Sequence, residues 1–357
     1  MIRKALGRAA DHGVAWARAS EDWLLGSRKA TYGVSVVRIL FGLTALWFLA
    51  ANWSNRHYLW GDAGQWMSPL ARNGGFEWPF TFFAGGGSEF GLTAKLVLLV
   101  GLLVAFVVGW RTRIIAPVVL VLWVSLIESN PVYGDQSDNI VRILLFYLCF
   151  ADLSGRWSLD ERRRRRKAKR IHPNVATLGT LFHNLAVLAV GAQICIIYIA
   201  SGLYKAQGET WQDGTAVYYP LQVSHYQPWP ELNDILGSNP LGVLAVSYFS
   251  VFIQLFFPLM LLRRATRIVA LLGVSAMHLG IAAAMGLPFF SLFIMAGDQI
   301  FIRDSTYVGI AGVARRKLRE WRGQRLIREP DEGADVQSND VPSGANSEKP
   351  QVSAGAG

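Results

Sequence analysis

The chain has 357 residues, of which 52% are hydrophobic and only 17% charged, with 13 Trp and a formal net charge of +10. A charged share below the usual ~25% excludes a disordered or collagen-like chain and suits a polytopic membrane protein. The basic excess alone would suit nucleic acid, but the placement of the charges along the chain points to membrane topology instead.

Residues Ile2 to Leu25 alternate Ala5, Leu6, Ala9, Val14, Ala15 and Trp16 with Arg3, Lys4, Arg8 and Arg18. This pattern predicts an amphipathic helix at the inner headgroup layer, with a disordered basic arm as the alternative. Apolar sequence begins only near Tyr32, without an early cleavage pattern, so a removable signal peptide is not expected. Eight apolar segments follow, near 33–52, 94–110, 114–129, 140–154, 181–204, 241–262, 268–285 and 288–302. A spanning helix takes about 20 residues, so several are short. The last follows Gly286-Leu287-Pro288 and reads as a span or a re-entrant hairpin. The expected fold is all-α: a polytopic helical membrane protein of about eight transmembrane helices with an N-terminal interfacial helix. Its parts are a cytoplasmic helix over 1–32, a transmembrane domain over 33–302, a basic cytoplasmic helix over 303–328 and a disordered tail over 329–357.

Charge placement tests this count. With the N-terminus inside and the segments alternating, 29 of the 35 Lys and Arg fall on the inner side. Arg56, Arg72 and Lys205 fall outside, and Arg38, Lys95 and Arg142 lie in or at the edges of the apolar segments. The positive-inside rule then predicts a multi-pass protein of the cell membrane with both termini cytoplasmic. Arg162 to Arg166, with Lys167, Lys169 and Arg170, becomes an inner loop rather than a nucleic-acid patch. The expected partner is the lipid bilayer, with no nucleic acid. Segments 53–93 and 205–240 lie outside and carry Trp53, Trp60, Trp66, Trp78, Trp211 and Trp229. They read either as the roof of a pocket or as an interfacial aromatic belt. The loop near 130–139 is acidic, with Asp135 and Asp138. There is no internal repeat of the kind found in inverted-repeat transporters. Cys149 and Cys195 sit in apolar runs without a Cys/His cluster, so no metal site is expected.

Ionisable groups in an apolar phase are costly and are paired or functional. Arg38, Arg142 and Asp298 are such charges, with a structural salt bridge as the plain reading of each. His278, near the middle of the seventh segment, is expected to face the bundle interior, as a ligand contact or a structural hydrogen bond. Lys205 closes the fifth segment after the small residues Ala200, Ser201 and Gly202. An amine at that boundary loses solvation, which favours its neutral form and suits a general base; a snorkelling anchor is the alternative.

Gln193-Ile194, Ile196 and Tyr198, then Gly202 and Lys205, then Trp211 and Gly214, together resemble the core of the vitamin K-dependent gamma-carboxylases. They also resemble the carboxylases' bacterial relatives, the HTTM (horizontally transferred transmembrane) domain proteins. Leu148, Phe150 and Asp152 with Trp157-Ser158 and Asp160 agree, as do Met277-His278-Leu279, Pro288 and Met295-Ala296, and Arg38-Ile39 with Gly42. The resemblance covers residues 33–302. It implies Lys205 as the base that deprotonates reduced vitamin K or another quinone, with Gln193, Tyr198, Trp211 and His278 around the cofactor. Two departures weigh against glutamate carboxylation. The carboxylases carry a large extramembrane C-terminal domain where this chain has a short tail. They also carry a His before the fourth span, where Ser137-Asp138-Asn139 stands here. The alternative within the same group is a non-catalytic partner in maturation or export of a secreted peptide, as in the sporulation-delaying toxin system.

Overall fold

The computed structural model describes residues 13–61, 78–84, 88–130, 133–166 and 172–328. Residues 1–12, Trp66, Arg72, Lys167, Lys169, Arg170 and the tail 329–357 lie outside the described residues. Among the described residues every regular element is helical. Helices stand at all eight apolar segments: α1 (Thr31–Ala51), α2 (Glu89–Val108), α3 (Thr112–Glu128), α4 (Gln136–Leu148), α5 (Pro173–Ala206), α6 (Pro240–Leu255), α7 (Arg264–Ala284) and α8 (Pro288–Asp298).

Four of these, α1, α2, α5 and α7, are long and apolar enough to cross a membrane. The count rises to five if the helix Pro230–Gly237 and α6, which meet at 92°, are taken as one broken span. The rest are shorter: α3 has 17 residues, α4 has 13 and α8 has 11. At about 1.5 Å per residue, α8 reaches roughly half the thickness of a ~30 Å hydrocarbon core. Yet α8 is central, packing against α1, α4, α5 and α7. Its Ala296 and Gly297 are buried and let the neighbouring helices approach closely.

The long helices are apolar all round, as helices wetted by lipid must be. On α2, Leu92, Leu96, Leu99, Leu103 and Phe106 recur at alternating steps of four and three and form the buried stripe. Val97, Leu98, Val104 and Val108 of the same helix stay exposed.

The N-termini of α1 and α3 are satisfied by carboxylates from distant parts of the chain. Asp304 accepts from the backbone N–H of Thr31 and Tyr32, each at 3.0 Å, and so caps α1. Asp160 does the same for α3 through Arg111 N (3.0 Å) and Thr112 N (2.9 Å). These orphan amides otherwise have no intrahelical partner, and the negative charge suits the helix N-terminus. Within α4 the cap is local, a reciprocal box between Asp135 and Asp138.

Arg38 on α1 is fully buried and makes no ion pair among the described residues. Its guanidinium donates to the carbonyls of Phe106 (3.1 Å), at the C-terminus of α2, and Trp157 (2.8 Å). A cation there answers the negative end of the helix, adding to the Gly109 N–H that Phe106 O already accepts at 3.1 Å. The salt bridge expected for Arg38 is thus replaced by a helix-end contact. Gly109 makes room for it: its φ is +72°, and a Cβ at this position would lie 2.0 Å from Arg38 Nη1. Arg142 does form the expected pair, with Glu128 at 3.0 Å.

The segment before α1 is held by two adjacent buried residues of α5. Asn184 Nδ2 donates to the carbonyls of Trp23 (3.1 Å), Leu24 (2.9 Å) and Ser27 (2.9 Å), and its Oδ1 accepts from Lys29 N (2.9 Å). His183 Nδ1 accepts from Asp152 N (2.9 Å), so its Nε2 carries the proton and donates to Lys29 O (2.7 Å). Asp152 also pairs with Arg28 and lies 3.7 Å from Arg164. Burial alone would push the Asp152 carboxyl up. The guanidiniums of Arg164 and Arg28, with the Ser154 hydroxyl, outweigh it and hold the group below the ordinary carboxylate range.

A separate unit begins at Val308 within the helix Asp304–Arg328. On it the exposed Val308, Ile310 and Val313 precede a basic run, Arg315, Arg316, Lys317 and Arg319, that encloses the exposed Leu318.

Candidate functional site

On α5, Tyr198, Ser201 and Lys205 recur at steps of three and four and so share one helix face. Three other helices bring polar groups to that face: Gln254 from α6, His278 from α7 and Asp298 from α8. Gly202 is the reason α6 can come this close. A Cβ there would lie 2.9 Å from the backbone nitrogen of Leu255. Any side chain would push α6 away and stretch the contacts made by its neighbour Gln254.

Two groups of contacts result. Lys205 Nζ donates to Gln254 Oε1 at 2.8 Å, and Ser201 Oγ donates to the same oxygen at 3.2 Å. The ammonium sits over the Trp211 ring, 4.8 Å from its centroid. Among the described residues, no ion pair involves Lys205 or Asp298. The salt bridge expected for Asp298 is therefore a hydrogen bond instead.

Deeper in the bundle, Tyr198 Oη donates to Asp298 Oδ2 at 2.8 Å and lies 3.3 Å from His278 Nε2. The phenol proton is committed to the carboxylate, so Oη accepts from Nε2–H. That leaves His278 Nδ1 as an acceptor, and among the described residues it has no partner; nor has Asp298 Oδ1. Tyr198 and His278 are 1% and 2% exposed, so bulk water does not satisfy these atoms. Rings of Phe257 (4.5 Å from Tyr198) and Phe290 (5.8 Å from His278) close the sides. Nδ1, Nε2–H, Oη–H and the carboxylate form an unbroken line along which a proton can move.

Of the residues singled out in the sequence, Lys205, Trp211, Tyr198, His278 and Asp298 come together. Gln193 does not: it is half-buried on α5, without a hydrogen bond among the described residues. Arg38 and Arg142 belong to other contacts. Gln254 was missed, although an amide between Ile253 and Leu255 in an otherwise apolar run was a visible signal. His183 and Asn184 were missed for the same reason. No group of three or more His, Cys, Asp or Glu suited to a metal occurs among the described residues.

The comparisons with known proteins bear on this arrangement. A family model described as the HTTM domain matches residues 29–305. An uncharacterized protein of Bacillus subtilis (strain 168), YitO, is 28% identical over 206 residues, covering 56% of this chain and 63% of the relative. The sporulation-delaying protein SdpB of the same organism is 25% identical over 196 residues, covering 52% of this chain and 57% of the relative. The match thus spans less than two thirds of either curated relative. No solved structure matches.

Proposed function

The chain belongs to the HTTM domain family, and from that premise we propose that this multi-pass membrane protein is an enzyme of the outer membrane face, with Lys205 as general base and a quinone-like molecule as cofactor. The observation that carries the reading is the company Lys205 keeps. Its amine is bonded to a neutral amide oxygen and an aromatic face, not to a carboxylate. Losing its proton therefore strands no partner charge, whereas an ion-paired lysine would leave a buried anion behind. The donor set also fits a hydroquinone. Lys205 offers a proton acceptor in its neutral form, and His278 Nδ1 is an orphaned buried acceptor. A reduced quinone bound there would supply an acidic phenolic proton and two electrons. Tyr198 holds the His278 ring, Asp298 holds Tyr198, and Trp211 shields the amine from water. Both termini are placed in the cytoplasm, with Lys205 outside, on the distribution of basic residues.

The test combines two substitutions with a lipid extract. Wild-type protein should yield near-stoichiometric quinone by mass spectrometry, and His278→Phe should lose it. Lys205→Arg keeps the charge but cannot release its proton, so it should reach normal abundance yet fail to restore the phenotype of a deletion strain. The reading is sunk if no quinone is found and Lys205→Arg complements fully while Lys205→Ala only lowers protein level.

A second reading, a non-catalytic partner in maturation of a secreted peptide, draws on the likeness to a sporulation-delaying protein. It expects Lys205→Arg to be silent. A labelling experiment checks the sidedness common to both readings. An impermeant thiol reagent on intact cells should reach a Cys placed at position 75 and not one at 165.

A further inference from the structure

Another cavity lies on the opposite side of α8. Phe290 and Asp298 turn toward the Tyr198 cluster, whereas Phe289 and Phe293 line a separate space of about 160 Å³. At ~30 Å³ per water this holds about five waters. Phe48 of α1 is its hub. The Phe48 ring meets those of Trp123 at 5.6 Å, Phe289 at 5.2 Å and Trp60 at 6.0 Å. The rim is acidic: Asp135 and Asp138 both border the cavity. Glu128 lies close enough to add its charge there, and Arg142 offsets part of the charge of the three carboxylates.

Two further side chains on the wall are nearly inaccessible and incompletely satisfied. Asn130, 6% exposed, donates its amide to Leu59 O at 2.8 Å, but its Oδ1 has no partner among the described residues. Trp123, 2% exposed, has no acceptor for its indole N–H among the described residues. Buried polar groups without partners cost stability unless something satisfies them. An acceptor, two carboxylates and a box of aromatic faces together attract positive charge. A lone metal ion would gain little from the rings. An ammonium bearing carbon substituents gains from both the rings and the acceptors.

We propose that this cavity binds a small organic ammonium group, with its charge between the aromatic faces and the Asp138 and Asn130 oxygens. Trp123 Nε1–H is free to donate to a hydroxyl or ester oxygen carried beside it. Ethanolamine and choline have this chemistry, either as soluble amines or as lipid headgroups. The site is across α8 from Lys205 and does not depend on the quinone reading.

The experiment uses the full chain, purified without amine-bearing lipids, and equilibrium dialysis with labelled ethanolamine and choline. Saturable binding of at least one is expected. The uncharged choline isostere 3,3-dimethyl-1-butanol should compete at least about tenfold less well. Asp138→Asn retains an oxygen for the helix cap yet should weaken binding about tenfold or more. Asp138→Glu should stay within about threefold of wild type. Lipid analysis after reconstitution in mixed phosphatidylethanolamine and phosphatidylglycerol vesicles separates the sources. Enrichment of the former, lost in Asp138→Asn, identifies a headgroup; binding of soluble amine without enrichment identifies a free ligand. The proposal is overturned if neither amine binds, if the isostere competes equally, or if Asp138→Asn at unchanged thermal midpoint binds as wild type does.

Discussion

Two polar clusters are buried in this bundle, and they differ in how completely their groups are paired. Around Asp152, His183 and Asn184 nearly every donor and acceptor is matched. Both His183 nitrogens have partners, and Asn184 makes four bonds. Arg28, Arg156, Arg164 and Arg165 border a cavity of about 520 Å³ there. Arg28 and Arg164 face Asp152, however, and Arg156 and Arg165 face Glu161. Around Tyr198, by contrast, His278 Nδ1 and Asp298 Oδ1 are left open. Saturation is what a structural staple needs. An open acceptor inside an apolar bundle lowers stability and makes sense where a ligand or a proton is to be received.

The sharpest way to break this comparison is Asn184→Leu. It removes two N–H donors, shared among the carbonyls of Trp23, Leu24 and Ser27, and the acceptor of Lys29 N, each worth about 1 kcal/mol or more. A loss of about 4 kcal/mol is expected, seen as a large drop in the thermal midpoint in detergent. A variant that melts like wild type would show that the saturated cluster is not a staple. Next in size is Gly109→Ala. It forces a Cβ against Arg38 and Ser158, 2.0 Å and 2.4 Å away, at positive φ. A loss of about 2–3 kcal/mol should appear in the same melting assay. At the open cluster Tyr198→Phe should cost only about 1–2 kcal/mol, because Asp298 can take up a proton when it loses its partner. The same variant should lose bound quinone. A midpoint as low as that of Asn184→Leu would make the two clusters equivalent and remove the contrast.

The smallest effect is one of pH. The folded Asp152 carboxyl lies below its unfolded value, so its contribution is present above the unfolded value and fades as pH falls through the folded one. Melting should be flat from neutral pH to about 5 and decline below about 4, the ordinary Asp range. Asp152→Asn should start lower and lose most of that decline. An unchanged decline would assign it to other carboxylates.

Lys205, His278 and Asp298 were individually readable in the sequence, because a Lys, His or Asp in an apolar run is conspicuous by its cost; Tyr198 was marked only by the family resemblance, and Gln254 not at all. Their grouping was not readable. Tyr198 and Lys205 share a face of α5 by period alone, but Gln254 reaches Lys205 only because Gly202 admits α6. That depends on helix crossing and rotation, which periodicity leaves open. Arg38 shows the same limit. Its burial was legible, but its partners are the carbonyls of Phe106 and Trp157, and every residue has a carbonyl, so no side-chain pattern marks them. Likewise no local pattern marks Asp160 and Asp304 as caps; only the fold lays them against the N-termini of α3 and α1.

Hydropathy and the spacing of apolar residues determined by themselves that this chain is helical and where its helices lie. Both properties are local, set by the 3.6-residue period and by the cost of exposing backbone in lipid. Motif order was enough to indicate the family. Tertiary structure alone decided that the shortest apolar helix, α8, stands at the centre, with the Tyr198 cluster on one side and the aromatic cavity on the other. Length and hydropathy would place so short a segment at the margin. It is central because Ala296 and Gly297 let four helices close on it, and that closeness depends on packing between segments far apart in the chain.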